Sequence, residues 1–282
     1  MTQPNVTILG AGRMGQGLAL GLLRAGHRVT LVARRPHPVT PPLALHPGPR
    51  AEAVGRAGIV CLAVPDDAIT ALAEELAAED SIGADAVVLH LSGLLDRTAL
   101  APLAPSGAGL GSFHPLQTIA DPADASARFA GAYAGIEGDE RAQGAAAGLA
   151  RALGMTPVRL AGAAKPAYHA GAVMAANYTV ALAGVAERLA LAAGVPGEIA
   201  ARLYLPLVLG AAANLSVGPV AALTGPVRRG DARTVAAHLA ALEPEERELY
   251  RRLGLEALRL ARAAGIEPEA AARIEAVLAA SP

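Results

Sequence analysis

Across 282 residues there is a single cysteine, Cys61, and no tryptophan. One thiol excludes a disulfide framework and any zinc site built on cysteines. A chain of this length buries enough core to need neither a disulfide nor a structural metal, and no metal site is expected. Charged residues are scarce at 17%, and their formal sum is only -1. No basic face toward nucleic acid or anionic lipid is therefore expected. Aromatic residues make up 2% of a chain whose hydrophobic fraction is 53%. Alanine supplies much of that fraction, which predicts a core of small, closely packed side chains that is largely helical.

The shortage of charge raises the question of a membrane span. Residues 166–186 and 203–227 contain no Asp, Glu, Lys or Arg, and each exceeds the roughly 20 apolar residues that cross a bilayer. The first nevertheless carries Tyr168, His169, Asn177, Tyr178 and Thr179, and the second is broken by Pro206, Gly210, Asn214, Gly218 and Pro219. These runs predict helices buried between domains or subunits. No basic segment followed by an apolar signal region precedes the first strand, so a cytoplasmic protein is expected.

Asn5 to Leu9 reads as a buried strand. It is followed by Gly10-Ala11-Gly12-Arg13-Met14-Gly15 and an apolar helical pattern through Leu18, Leu22 and Ala25. Arg28 to Ala33 then alternates like a second strand, completing a βαβ unit. In such a unit the first glycine permits the tight turn, the second lets the backbone approach a pyrophosphate, and the third lets helix and strand pack closely. A proline-rich loop follows, with one edge strand expected at Leu43 to Leu45.

Further strands are predicted at Ile59 to Val64, Ala86 to Leu91, Leu110 to Phe113, Tyr133 to Ile136 and Thr156 to Leu160, with a helix over Asp139 to Leu153. From Pro166 onward only helical periodicity remains. The predicted architecture is a doubly wound α/β sheet over residues 1–162, binding a dinucleotide, and an all-α domain over residues 163–282 for substrate binding and dimerisation.

An acid at the end of the second strand would favour NAD. That position here is Ala33, followed by Arg34 and Arg35, and a guanidinium grips a phosphate with two donors. The expected cofactor is NADP(H). Val64 and Pro65 end the next strand where the dinucleotide should pass. Ser92 and His114 end the following two, at the sheet edge where ligands collect. His90 and Cys61 lie inside strands and read as buried structural residues.

Lys165 is the only lysine beside twenty-three arginines. Pro166 then suits a first helical turn, and His169, Val173 and Asn177 recur every four residues on one face. Burying such a stripe without partners is costly, so it is expected to face a cleft. There His169 would exchange a proton with substrate, Asn177 would orient it, and Lys165 would meet an anionic group at the cleft mouth. His114 is the other candidate catalytic residue, and Ser92 joins Lys165 as a substrate contact. Asp231 is the expected N-cap of the helix that holds His238.

Several segments together support a family resemblance: the glycine turn, Leu62-Ala63-Val64-Pro65-Asp66-Asp67, Phe113-His114-Pro115-Leu116-Gln117, Tyr168-His169 with Asn177-Tyr178, and Thr224-Gly225-Pro226 with Arg229-Gly230-Asp231 and His238-Leu239. The chain resembles Rossmann-like oxidoreductases with a helical C-terminal domain of unknown function. These are relatives of pyrroline-5-carboxylate reductase and, more distantly, of the β-hydroxyacid dehydrogenases. The resemblance spans nearly the full chain and implies NADP binding, a homodimer through the helical domain, and a cleft between the halves. The serine- and threonine-rich substrate turn of pyrroline-5-carboxylate reductase is not evident. The Lys-to-Asn spacing of β-hydroxyacid dehydrogenases is also absent, since four residues after Lys165 comes His169. The expected activity is hydride transfer between NADP(H) and a small imine or carbonyl compound. A non-catalytic NADP(H)-binding sensor or scaffold is the alternative.

Overall fold

The computed structural model describes residues 4–280, which divide into two compact units, one ending at Asn177 and the other beginning at Tyr178. The first holds seven strands: β1 (Val6–Leu9), β2 (Val29–Val32), β3 (Ile59–Leu62), β4 (Val87–His90), β5 (Gly109–Pro115), β6 (Tyr133–Gly138) and β7 (Thr156–Arg159). Their order in the sheet is β2-β1-β3-β4-β5-β6-β7. Neighbours run parallel except β5 and β6, which are antiparallel in a register that pairs Ser112 with Glu137 and His114 with Gly135.

Helices in this unit are α1 (Arg13–Arg24), α2 (Arg50–Gly55), α3 (Asp66–Ala78), α4 (Ala125–Phe129), α5 (Glu140–Ala152) and α6 (Lys165–Ala175). Val6, Ile8, Leu18, Leu22, Leu89 and Phe113 belong to one buried cluster, and Leu9, Val60, Leu62, Ile69, Leu76 and Val88 to another. Alternate residues of β1 thus enter different clusters, as expected for strands covered on both faces.

Every predicted strand forms, except that Leu43 to Leu45 contributes only an isolated bridge, from Leu45 to Leu31. Pro41 and Pro42 withhold two ladder donors just before it. The first unit also runs further than the expected boundary near residue 163. The α6 side chains Lys165 and Tyr168 bond to groups of the sheet and its loops, which ties this helix to the first unit.

The second unit comprises α7 (Asn177–Ala192), whose first residue closes the preceding unit, α8 (Gly197–Leu203), α9 (Leu205–Asn214), α10 (Pro219–Ala222), α11 (Gly225–Arg229), α12 (Ala232–Ala241), α13 (Pro244–Ala263) and α14 (Pro268–Ala279). Its core gathers Val227, Val235, Leu239, Leu258, Ile274 and Leu278 from α11 to α14. Asp231 caps α12 by accepting from Thr234 N, as expected. Residues 197–217 are long and apolar enough to cross a bilayer by length and composition, with 6% of that window buried. They form two helices parted at Tyr204, Pro206 opening the second.

Candidate active site

The sheet order reverses between β1 and β3, the switch point at which doubly wound sheets bind ligands. Gly10 follows β1 with φ +118°, and a Cβ there would stand 2.2 Å from the Ala63 carbonyl oxygen. A Cβ on Gly15 would stand 2.0 Å from the Gly10 oxygen. Both positions require glycine for close packing. Gly12 differs, since a Cβ there would meet nothing within 4 Å. Gly12 is also the N-cap of α1 and offers no side chain to the first-turn amides. Backbone donors and free space thus coincide where an anion would lie.

A cavity of about 760 Å³ opens at this turn. Gly10, Ala11, Gly12, Arg34, Arg35, Val64 and Pro65 line it, so most of the predicted cofactor residues share one wall system. Arg13 and Met14 are the first residues of α1 but do not line the cavity. Arg50, also on the wall, is held by Glu75 at 2.7 Å and by Glu79, and these carboxylates raise its pKa. Among the described residues neither Arg34 nor Arg35 forms an ion pair. The turn, the cavity and two uncommitted guanidinium groups fit a phosphorylated dinucleotide.

Reasoning from sequence missed Gln16, a buried residue of α1. Its amide nitrogen donates to Ala11 O and Pro38 O, and its amide oxygen accepts from Thr40 N. It pins the proline-rich loop beside the glycine turn. A polar residue inside an apolar helical stripe was the available signal.

A second cluster forms at the carboxyl ends of β4 and β5. His114 Nδ1 lies 3.0 Å from the Tyr168 hydroxyl, and its ring meets those of Tyr168 and His169 edge-on, each at 5.6 Å between centroids. A Cβ on Gly93 would fall 2.3 Å from His169 Nδ1 and 2.9 Å from His114 Nε2. Glycine therefore lets the two imidazoles converge over the turn after β4. His169 Nδ1 is buried and has no hydrogen-bond partner. Burial pushes His114 down to about 4, helped by the Lys165 charge, so the ring is neutral at physiological pH. Burial raises the Tyr168 hydroxyl, while a hydrogen bond with the Gly135 backbone acts in the opposite sense.

Beneath them Lys165 is fully buried and donates to Ser92 O at 3.0 Å and Ser112 Oγ at 2.8 Å. Burial brings it down to about 8 against the pull of Glu137, Asp96 and Asp66. The sequence predicts this ammonium facing an anionic group at a cleft mouth, whereas it turns inward to Ser92 and Ser112. Four methylenes carry its ammonium inward, and the strand-end oxygens hold it there.

Ser92 likewise has its hydroxyl committed. It donates to Asp66 at 2.8 Å and accepts from Leu94 N and Leu95 N, shaping the turn that carries Gly93. Asn177 departs from the expected stripe, because α6 ends at Ala176 with φ -107° and ψ -64° and Asn177 opens α7 as an exposed residue. His90 is the buried structural histidine expected, accepting from Ser92 N at Nδ1 and bonding Asp96 O through Nε2. Cys61 is buried, which pushes its thiol up to about 12.

The fold and the glycine cradle define a Rossmann-like dinucleotide-binding architecture with a helical C-terminal part. Residues 5–89 match the family described as NADP oxidoreductase, coenzyme F420-dependent, and residues 132–257 match a domain of unknown function, DUF2520. The first match spans β1 to β4, and the second begins just before β6 and ends within α13.

Solved structures of the same fold include a Bacteroides fragilis protein described as an NADP oxidoreductase (20% identity, TM-score 0.67, covering 90% of this chain and 98% of that one). A Thermotoga maritima protein is similar at 23% identity and TM-score 0.67, over 92% of this chain and 98% of its own. Plasmodium falciparum pyrroline carboxylate reductase with NADP bound is similar at 13% identity and TM-score 0.61, over 99% of this chain and all of its own. No curated protein sequence matches the chain significantly.

Proposed function

We propose that this protein is an NADP(H)-dependent oxidoreductase that transfers hydride between the dinucleotide and a small imine or carbonyl compound. The observation that carries this reading is the convergence of His114 and His169 over Gly93, with Tyr168 bonded to His114, on the same carboxyl edge of the sheet as the glycine cradle. The α1 amides and Gly12 would receive the pyrophosphate, and Arg34 and Arg35 the adenosine 2′-phosphate. When bound, NADP(H) supplies or accepts the hydride.

The chain's own residues then manage the proton and the polar substrate atom. The Tyr168 hydroxyl keeps its proton and donates a hydrogen bond to His114 Nδ1, so that His114 carries its own hydrogen on Nε2. A neutral imidazole held this way is a hydrogen-bond donor that polarises the carbonyl or imine, as its lowered pKa requires. His169 exchanges the proton with the reacting atom. Lys165 places its positive charge below the pair, and Ser92 holds the Gly93 turn. These are positioning roles rather than the substrate contacts expected from sequence. Exposed Val180, Leu205, Leu207 and Leu209 support a homodimer through the helical part, which light scattering tests directly.

The decisive experiment screens imines and keto compounds for NADPH oxidation and then compares H114Q and H169Q. Each should lower kcat by about 10²–10⁴-fold, the range of general acid–base catalysis, with NADPH affinity nearly unchanged. If neither substitution alters the rate, the histidine cluster has no part in chemistry. If calorimetry detects neither NADPH nor NADH, the redox reading fails altogether.

A further inference from the structure

We infer that His46 determines cofactor specificity by donating to the adenosine 2′-phosphate, an assignment that rests on NADP(H) occupying the 760 Å³ cavity. His46 lines that cavity together with Arg34 and Arg35, and its Nε2 is buried without a hydrogen-bond partner. A buried imidazole nitrogen left unpaired is costly, and the simplest relief is a ligand atom reaching it from the cavity.

Its position is fixed rather than incidental. His46 N donates to Leu31 O at 2.8 Å and Leu45 bridges to Leu31, so the residue is held against β2 just before Arg34. Gln16 ties the same loop down at Pro38 and Thr40.

The charge around His46 favours an anion over a ribose hydroxyl. Arg34, Arg35 and His37 face the cavity, and its carboxylates Glu75 and Glu79 are spent on Arg50. The remaining acid is Glu52, whose Oε2 lies, like His46 Nε2, 3.1 Å from where a Cβ on Gly48 would be. Its other oxygen holds Arg56 at 2.8 Å. The two carboxylates that line the cavity are both paired with Arg50, whereas Arg34, Arg35 and His37 share its wall with His46.

The test is calorimetry on the full chain and on H46A and H46Q, with NADPH, NADH, 2′,5′-ADP and 5′-ADP as probes. H46A should weaken NADPH and 2′,5′-ADP by about tenfold, the loss of one hydrogen bond to a charged group. It should leave NADH and 5′-ADP within about twofold, which also shows that the variant is folded. H46Q, whose amide nitrogen can take the place of Nε2, should recover most of the loss. Equal weakening of phosphorylated and unphosphorylated probes would mean a structural role, and unchanged NADPH affinity would mean none; either overturns the assignment. Failure of the unaltered chain to bind any probe would overturn both this assignment and the cofactor reading beneath it.

Discussion

Lys165 can be followed in isolation, because it is the only lysine in the chain. Lysine labelled with ¹³C at Cε gives a single side-chain resonance whose shift reports its protonation. Burial lowers this ammonium from 10.5 to about 8. At ~1.4 kcal/mol per pH unit that gap is about 3 kcal/mol of cost for holding the charged form inside the fold. Between about pH 8 and 10.5 the folded chain has released this proton while the unfolded chain keeps it. The unfolded state then binds more protons, so stability rises with pH across that window and levels off above it. Urea denaturation at pH 8, 9 and 10 should show this gain in the unaltered chain and not in K165M, whose difference cancels the other titrating groups. E137Q should lower the midpoint further, since Glu137 is the largest attraction holding the proton on. A midpoint at or above 10, or a stability difference that does not change with pH, would refute the burial argument.

Three other outcomes follow. G12A should leave stability nearly intact yet weaken the dinucleotide, because its Cβ enters only free space; G15A should destabilise the fold, because its Cβ collides with the Gly10 carbonyl, and thermal melts with NADPH calorimetry separate the two. His90 and His114 are both held down to about 4 by burial, so stability should fall as pH drops from 6.5 toward 4, by about 3 kcal/mol for fully buried His90, with H90Q flattening that limb of the urea curve. Y168F should preserve NADPH affinity and lower kcat while altering the pH profile of turnover, since His114 loses the hydroxyl beside Nδ1; an unchanged profile would separate Tyr168 from the chemistry.

The sheet was legible because its strands are short apolar runs punctuated by glycine and proline, a signal that survives without any tertiary information. The cradle was legible for the same reason, since spacing alone distinguishes three glycines with three different duties. The departures share one cause. The stripe through His169 and Asn177 assumed an unbroken helix, and alanine-rich sequence carries nothing to mark the break at Ala176. Ser92 lies where strand-end logic places it and Lys165 opens the expected helix, but which way a hydroxyl or an ammonium turns is set by partners distant in sequence, Asp66 for one and Ser112 for the other. The antiparallel step between β5 and β6 also lies beyond periodicity, which is blind to strand direction.

That step has a consequence for the site. Antiparallel pairing sets Gly135 across from His114, and the Tyr168 hydroxyl reaches both the backbone of the first and the ring of the second. The same ladder sets Glu137 beside Ser112, the acceptor of Lys165. One register thus sets His114 two residues along a single strand from Ser112, whose hydroxyl accepts from the buried Lys165 of α6. Burial lowers the pKa of both groups, and the Lys165 charge lowers that of His114 further. A shift of that register by one residue would turn Ser112 and His114 to the opposite face of the sheet. The electrostatic character of the site therefore rests on strand pairing as much as on the identities of its side chains.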